Sequence, residues 1–279
     1  MSFLVILLVL LVDKFSDWRP RLQHDGPWLT RLRQAEATPR LRDAPWLTLL
    51  LLVVLPVVLL GLLLEVLEPL AYGWLALPVH LLVLLYSLGR GHAKAELGAF
   101  RDAWRRGDEE AAALAAERDA GLRENDPASL MHAVQTRLLW KSYEGFFAVI
   151  FWYLLLGPMA ALAYRLLALC VEHAQHDGLR ERAEQLRHAF DWLPVRLLLG
   201  RSFALVGNFV AVNRALLHEL LSWDVSARRL LADAGPLAAD LPAAIDGEAG
   251  IARLDGLAAL LVRTRVLWYA VIAVLTLLA

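Results

Sequence analysis

The sequence predicts an all-α fold: a polytopic helical membrane protein with cytoplasmic helical segments. Three observations carry this. Residues 46–64 form a nineteen-residue run without a charge, and 70–88 form a second such run whose one ionisable group is His80. Each is close to the roughly 20 apolar residues a spanning helix needs, and lipid offers no partner for a free backbone N–H or C=O, so the runs must be helical. The chain is 58% hydrophobic yet 20% charged, so spans must alternate with polar helices outside the bilayer. No segment has the period-two alternation of a strand.

The N-terminal stretch is apolar from Phe3 to Val12 and lacks a basic leader, with Asp13 following. It reads as a retained, partly inserted helix rather than a signal peptide. Residues 13–43 are polar and hold seven basic side chains, Lys14, Arg19, Arg21, Arg31, Arg33, Arg40 and Arg42. The hairpin of 46–88 turns through Glu65, Glu68 and a Pro-Leu-Ala-Tyr-Gly connection. Residues 95–117 favour helix with a break at Gly107-Asp108, where Asp108 can cap the next helix; Asp126-Pro127 opens another that runs through Trp140. A third apolar run, 146–164, carries Gly157-Pro158 and should kink there, and Arg165 after it is placed to snorkel to the interface. In 193–221 the residues Arg196, Gly200, Phe203, Gly207, Ala211, Arg214 and His218 form a small-and-polar stripe, suited to an interfacial helix or to a span facing the bundle. Residues 222–255, rich in Ala, Gly and Pro, have the least structured pattern, and 266–279 is a short apolar run. The whole chain, 1–279, reads as a single membrane domain with 89–145 as a cytoplasmic helical insert.

Lys and Arg set the orientation. They concentrate in 13–45 and 89–145 and are absent from 65–73. The two basic segments are therefore expected in the cytoplasm and the acidic turn on the far side of a bacterial inner membrane. A net charge of −1 gives no global pull toward nucleic acid or anionic lipid. The single cysteine, Cys170, excludes an internal disulfide and reads as a small buried hydrophobe.

The chemistry-bearing patterns are sparse. Gly89-Arg90-Gly91-His92-Ala93-Lys94 has two glycines and two cations that can meet a phosphate, or it is a helix end with snorkelling bases. His173 and His176 lie at i and i+3, a spacing for one helix face, with no third metal ligand specified nearby. His80 inside a span is a functional candidate or an interhelical hydrogen-bond partner. No catalytic triad order, zinc HExxH, phosphate loop or dinucleotide fingerprint is present. No catalytic residue, metal site or cofactor is assigned.

The order of several segments resembles the AmpE family of inner-membrane proteins linked to control of β-lactamase induction. The words that carry it are Met1-Ser-Phe-Leu-Val-Ile-Leu-Leu leading to Asp13-Lys-Phe, Tyr86-Ser-Leu-Gly-Arg-Gly, Glu124-Asn-Asp-Pro127, Phe151-Trp-Tyr, and Asp191-Trp-Leu-Pro-Val-Arg196. Through AmpE the chain is similar to the CobD/CbiB cobalamin synthases. Gly107-Asp-Glu-Glu-Ala-Ala112 matches a motif of that family but has Ala113 in place of its Arg. Arg118-Asp119 keeps an Arg-Asp pair with Ala120 replacing Thr, and Glu144 and Gly145 keep part of a third segment. Trp140-Lys141 stands where the synthases have Glu-Asn, and their N-terminal signatures reduce to His24-Asp-Gly-Pro27.

These losses point to a scaffold kept without its amide-forming chemistry. The resemblance therefore implies a signalling protein beside cell-wall recycling. Its partners are membrane lipid and a cytoplasmic nucleotide or a protein of that pathway, not nucleic acid. A synthase and a small transporter are the alternative readings. The candidate ligand-binding residues are Arg118, Asp119, Glu144, Asp191 and Arg196: arginines for an anion, carboxylates for a cation or to orient those arginines. Ion pairs that lock helices together are the competing structural reading of the same five.

Overall fold

The computed structural model describes residues 4–9, 24–70, 74–89, 96–124, 126–203, 207, 222–241 and 244–278, and every regular element among them is helical. The chain divides into two compact units: residues 1–90 with 148–191, and residues 91–147 with 192–279.

In the first unit, α1 (Gly26–Ala37) starts at a Gly-Pro pair and buries Trp28, Leu32 and Ala35, one helical face. It stops at Thr38, which is extended because the following Pro39 disfavours helical geometry in the residue before it. The first span, α2 (Pro45–Leu67), contains a π turn at Leu50–Val54. Pro56 explains it. Proline lacks an N–H and its ring pushes away the carbonyl four residues back, here that of Leu52. The Trp28 indole donates to that carbonyl at 3.2 Å, so α1 fills the hydrogen bond the proline leaves open. The same device recurs where Pro194 frees the Phe190 carbonyl, which accepts from the Trp152 indole at 3.2 Å.

At 1.5 Å per residue the 23 residues of α2 extend about 34 Å, enough to cross the ~30 Å hydrocarbon layer. Leu50, Val54, Val58, Leu62 and Val66 lie bare along one side, as a lipid-facing surface requires. Trp46 and Trp74, 54% and 65% exposed, flank the span, where aromatic side chains favour a membrane interface.

The second leg is shorter than expected. Its helix, α3 (Ala76–Ser87), has 12 residues, about 18 Å, too short to cross alone. Residues 71–73 are outside the described set, and Trp74 and Leu75 are in a turn. The apolar run overstated the helix because hydropathy does not register the turn.

The helices α7 (Ala148–Leu156) and α8 (Pro158–His173) meet at the expected kink, where Gly157 takes φ 79°, a backbone that favours glycine. Residues Leu166, Leu169 and Cys170 of α8 pack with Trp28, Leu32, Leu49 and Leu52, and with Leu179 and Ala183 of α9 (Asp177–Leu197). A second apolar group joins Leu60 and Leu64 of α2 to Ala76 of α3 and Leu162 of α8.

The second unit holds the polar helices. Between α4 (Gly98–Arg105) and α5 (Glu109–Ala120), Gly107 turns the chain at φ 73° and Asp108 accepts from Ala111 N at 3.0 Å, as its capping sequence implies. Asp126 caps α6 (Pro127–Ser142) the same way, at Ser129 N, 2.9 Å. A π turn, Tyr143–Phe147, follows α6.

The segment 222–255 departs from expectation. It is largely ordered helix: α10 (Ala227–Ala238), capped by Ser226, and the start of α11 (Gly247–Leu278). Its alanines and glycine are not loop residues but the buried face of α10, where Ala227, Ala234, Gly235 and Ala238 let the helix lie close to Leu139 of α6. Residues 266–278 of the short apolar run are likewise the end of a 32-residue helix, whose stretch 247–274 is the second one long and apolar enough to cross. On α4 a single guanidinium nitrogen of Arg101, Nη2, donates to both oxygens of Asp255 at 2.9 Å, Arg105 reaches Glu248 at 3.1 Å, and the Trp104 indole donates to Ile245 O at 2.9 Å. These bonds fasten α4 along the charged half of α11. Of the 193–221 stripe, Gly207 lies against the Ala238 carbonyl, and 208–221 lies outside the described residues.

Candidate functional site

Asp191 is buried on α9 in the first unit. Tyr164 of α8 donates its hydroxyl to Oδ1 at 2.8 Å, and Arg187, one turn back on α9, holds Nε 3.4 Å from Oδ2. The spacing i to i+4 brings Arg187 and Asp191 together, and the packing of α8 supplies the tyrosine. A second buried pair lies in this unit. Arg165, the residue after Tyr164, reaches Asp25 at 3.0 Å, with only 10% and 3% of the two side chains exposed. Arg165 therefore does not snorkel: a carboxylate placed just before α1 meets it inside the protein.

Glu144, in the second unit, is buried on the π turn with Lys141 Nζ 3.4 Å away. The π turn rotates Tyr143 and Glu144 inward, and both are buried. Arg196 lays its guanidinium over the Trp192 ring at 4.4 Å and donates to the carbonyls of Trp192 and Ser222. Its fork thus ties the helix to the chain that returns at residue 222. Arg118 and Asp119 sit exposed near the end of α5 and bind each other at 2.6 and 2.8 Å. The Arg118 hydrogen bond holds the Asp119 carboxyl below its usual range, and Asp119 raises Arg118. Any stability from this depressed carboxyl is present above its ordinary pKa and fades as pH falls through the folded value.

Sequence reasoning singled out Asp191 but missed Tyr164, Arg187 and the pair Asp25–Arg165. Only the i, i+4 spacing of Arg187 and Asp191 carried a local signal. The two histidines do not share a helix face. The helix α8 ends at His173, and Glu36 accepts from the backbone N–H groups of Gln175 and His176 at 2.8 and 3.0 Å, fixing a turn between them. Among the described residues no three His, Cys, Asp or Glu side chains converge on a metal position. His80 is the interhelical partner of Tyr153, with Nδ1 and the hydroxyl 3.0 Å apart. Of the Gly89–Lys94 phosphate candidate, residues 90–94 lie outside the described set.

A lipid-facing span beside helices held by buried ion pairs defines an all-α membrane protein whose polar groups mostly grip one another. The chain belongs to the family described as regulatory signalling modulator protein AmpE, which matches residues 1–234. It is 28% identical over 162 residues to Protein AmpE of Shigella flexneri, a match covering 53% of this chain and 56% of that protein. The chain thus spans about half the length of this curated relative. No solved structure matches it. The family match supports the AmpE reading and adds nothing to a cobalamin-synthase one.

Proposed function

We propose that this chain is a multi-pass inner-membrane regulator that links cell-wall recycling to β-lactamase induction, acting without chemistry of its own. The family match over residues 1–234 carries the reading. Arg118, Asp119, Glu144, Asp191 and Arg196 are the proposed ligand-responsive set, and their geometry suggests a division among them. Glu144, Asp191 and Arg196 are built into the helix packing, whereas Arg118 and Asp119 face outward. The exposed pair is where a nucleotide or a protein of the recycling pathway would make contact.

Asp119→Asn separates contact from packing. It keeps shape and removes charge from a group whose one described partner is its neighbour. It should leave the thermal midpoint in detergent within about 1 °C of the parent, since surface changes alter stability by no more than roughly 0.5 kcal/mol. Induction of β-lactamase in cells carrying it should fall severalfold. Unchanged induction would remove Asp119 from the site.

Orientation follows from the basic segments. A cysteine placed at Asp108, in a Cys170→Ala background, should resist an impermeant maleimide on intact spheroplasts, and one at Glu68 should react. The reverse labelling would invert the topology.

A further inference from the structure

The first span is built as two halves that hold different partners. Its first turns, from Pro45, are tied to polar segments. The Thr48 hydroxyl donates to the Leu41 carbonyl at 2.7 Å, Pro45 lies against Gly178 of α9, and the Arg182 guanidinium of α9 sits 5.9 Å over the Trp46 ring. The half from Leu55 to Leu67 is tied to apolar helices. Leu60 and Leu64 pack with Ala76 of α3 and Leu162 of α8, and Gly61 lies against the Met159 sulfur. The joint between the halves is poor in regular backbone bonds. The Leu55 N–H reaches back five residues, to the Leu50 carbonyl, and Pro56 has no N–H to offer Leu52. A proline and a π turn are each a cause of sharp bends in helices.

One side chain bridges this joint from outside. Trp28, 8% exposed, brings its indole N–H to the Leu52 carbonyl at 3.2 Å. The helix that carries it, α1, is fastened near both ends through carboxylates. Asp25 binds Arg165 at 3.0 Å, and Glu36 accepts from the backbone N–H groups of Gln175 and His176 just past the end of α8. The position of α1 therefore decides whether Leu52 has this donor. Its surroundings are Leu49, Val53, Leu166 and Leu169, so a carbonyl left unpaired there has no water to turn to.

We infer that the π turn and Pro56 form a hinge in the first span, and that the Trp28 indole is its latch. With the indole in place the two halves keep one angle. When α1 withdraws, the Leu52 carbonyl turns toward another donor and the far half tilts. The lever is long. Val66 lies twelve residues beyond Val54, about 18 Å, so a change of about 20° swings it by about 6 Å. Movement of α1, in the segment proposed to be cytoplasmic, is thereby carried to the far end of the span. As a signalling device the hinge rests on the regulatory reading above, but spin labels detect it without reference to β-lactamase.

Nitroxides on cysteines replacing Val66, 64% exposed, and Glu184, exposed on α9, report the angle in the full chain in nanodiscs, in a Cys170→Ala background. Pulsed electron resonance should find one narrow distance in the parent. Trp28→Phe keeps a ring but removes the N–H, and should add a second population displaced on the order of 5 Å. Pro56→Ala returns a backbone donor to Leu52. In that background the same Trp28→Phe change should leave the distances unmoved, a dependence on residue 56 that loss of ring packing does not produce. Should Trp28→Phe fold poorly by itself, adding Pro56→Ala should recover its yield. Unmoved distances in a folded Trp28→Phe protein would overturn the proposal. So would an equal shift with and without Pro56→Ala, or a misfolded Trp28→Phe that Pro56→Ala does not recover.

Discussion

Arg165→Met is expected to destabilise the protein by about 3–5 kcal/mol, because it removes the guanidinium paired with the buried Asp25 carboxylate. Asp25 is 3% exposed and Arg165 10%, at 3.0 Å, so water cannot replace the lost partner. The pair joins the N-terminus of α1 to α8, two helices that also share the cluster of Trp28, Leu32, Leu166 and Cys170. Adding Asp25→Leu to Arg165→Met should recover most of the loss, since apolar side chains of similar volume replace a buried ion pair at little net cost. Thermal unfolding of the single and double variants in one detergent reads the coupling directly. A single-variant loss under about 0.5 kcal/mol, the range of surface substitutions, would mean that the pair does not hold α1.

The same pair marks what the sequence hides. Asp25 and Arg165 are 140 positions apart, and a lone arginine after an apolar run reads locally as a snorkelling residue. Capping and kink signals were reliable: Asp108 and Asp126 cap the helices they precede, and Gly157-Pro158 kinks the third run. Each depends on backbone geometry within four residues. Signals that depend on a neighbour were not legible. The alanines of α10 have no polar–apolar contrast to betray a helix, and their role is clear only when α6 lies against them. The π turn of α2 follows from Pro56, but that its freed carbonyl meets Trp28 needed the tertiary contact. Asp191 entered the candidate set by resemblance; Tyr164, 27 residues away, came only with the packing of α8.

Gly250→Leu is expected to cost about 3 kcal/mol or more, by overpacking and by loss of a buried hydrogen bond. A Cβ at Gly250 would overlap the Ile245 carbonyl and the Trp104 indole nitrogen, and would come 2.8 Å from Met131 Cε. Methionine can swing aside, but a backbone carbonyl cannot. Trp104 Nε1 donates to that same carbonyl at 2.9 Å, so the new side chain breaks the joint between α4 and the start of α11. Gly256 on the same helix is the control. Among the described residues its added Cβ would meet only the tip of Leu241, at 2.8 Å, a flexible end that can move. Gly256→Ala should then be neutral or gain up to ~1 kcal/mol from better helix propensity. Unfolding in detergent should order the variants Gly256→Ala, parent, Gly250→Leu from most to least stable, with the tryptophan emission of folded Gly250→Leu shifted to the red as Trp104 loses its seat. Equal stability of Gly250→Leu and the parent would show that α4 does not depend on this contact. The Arg101–Asp255 and Arg105–Glu248 bonds would then carry the attachment alone.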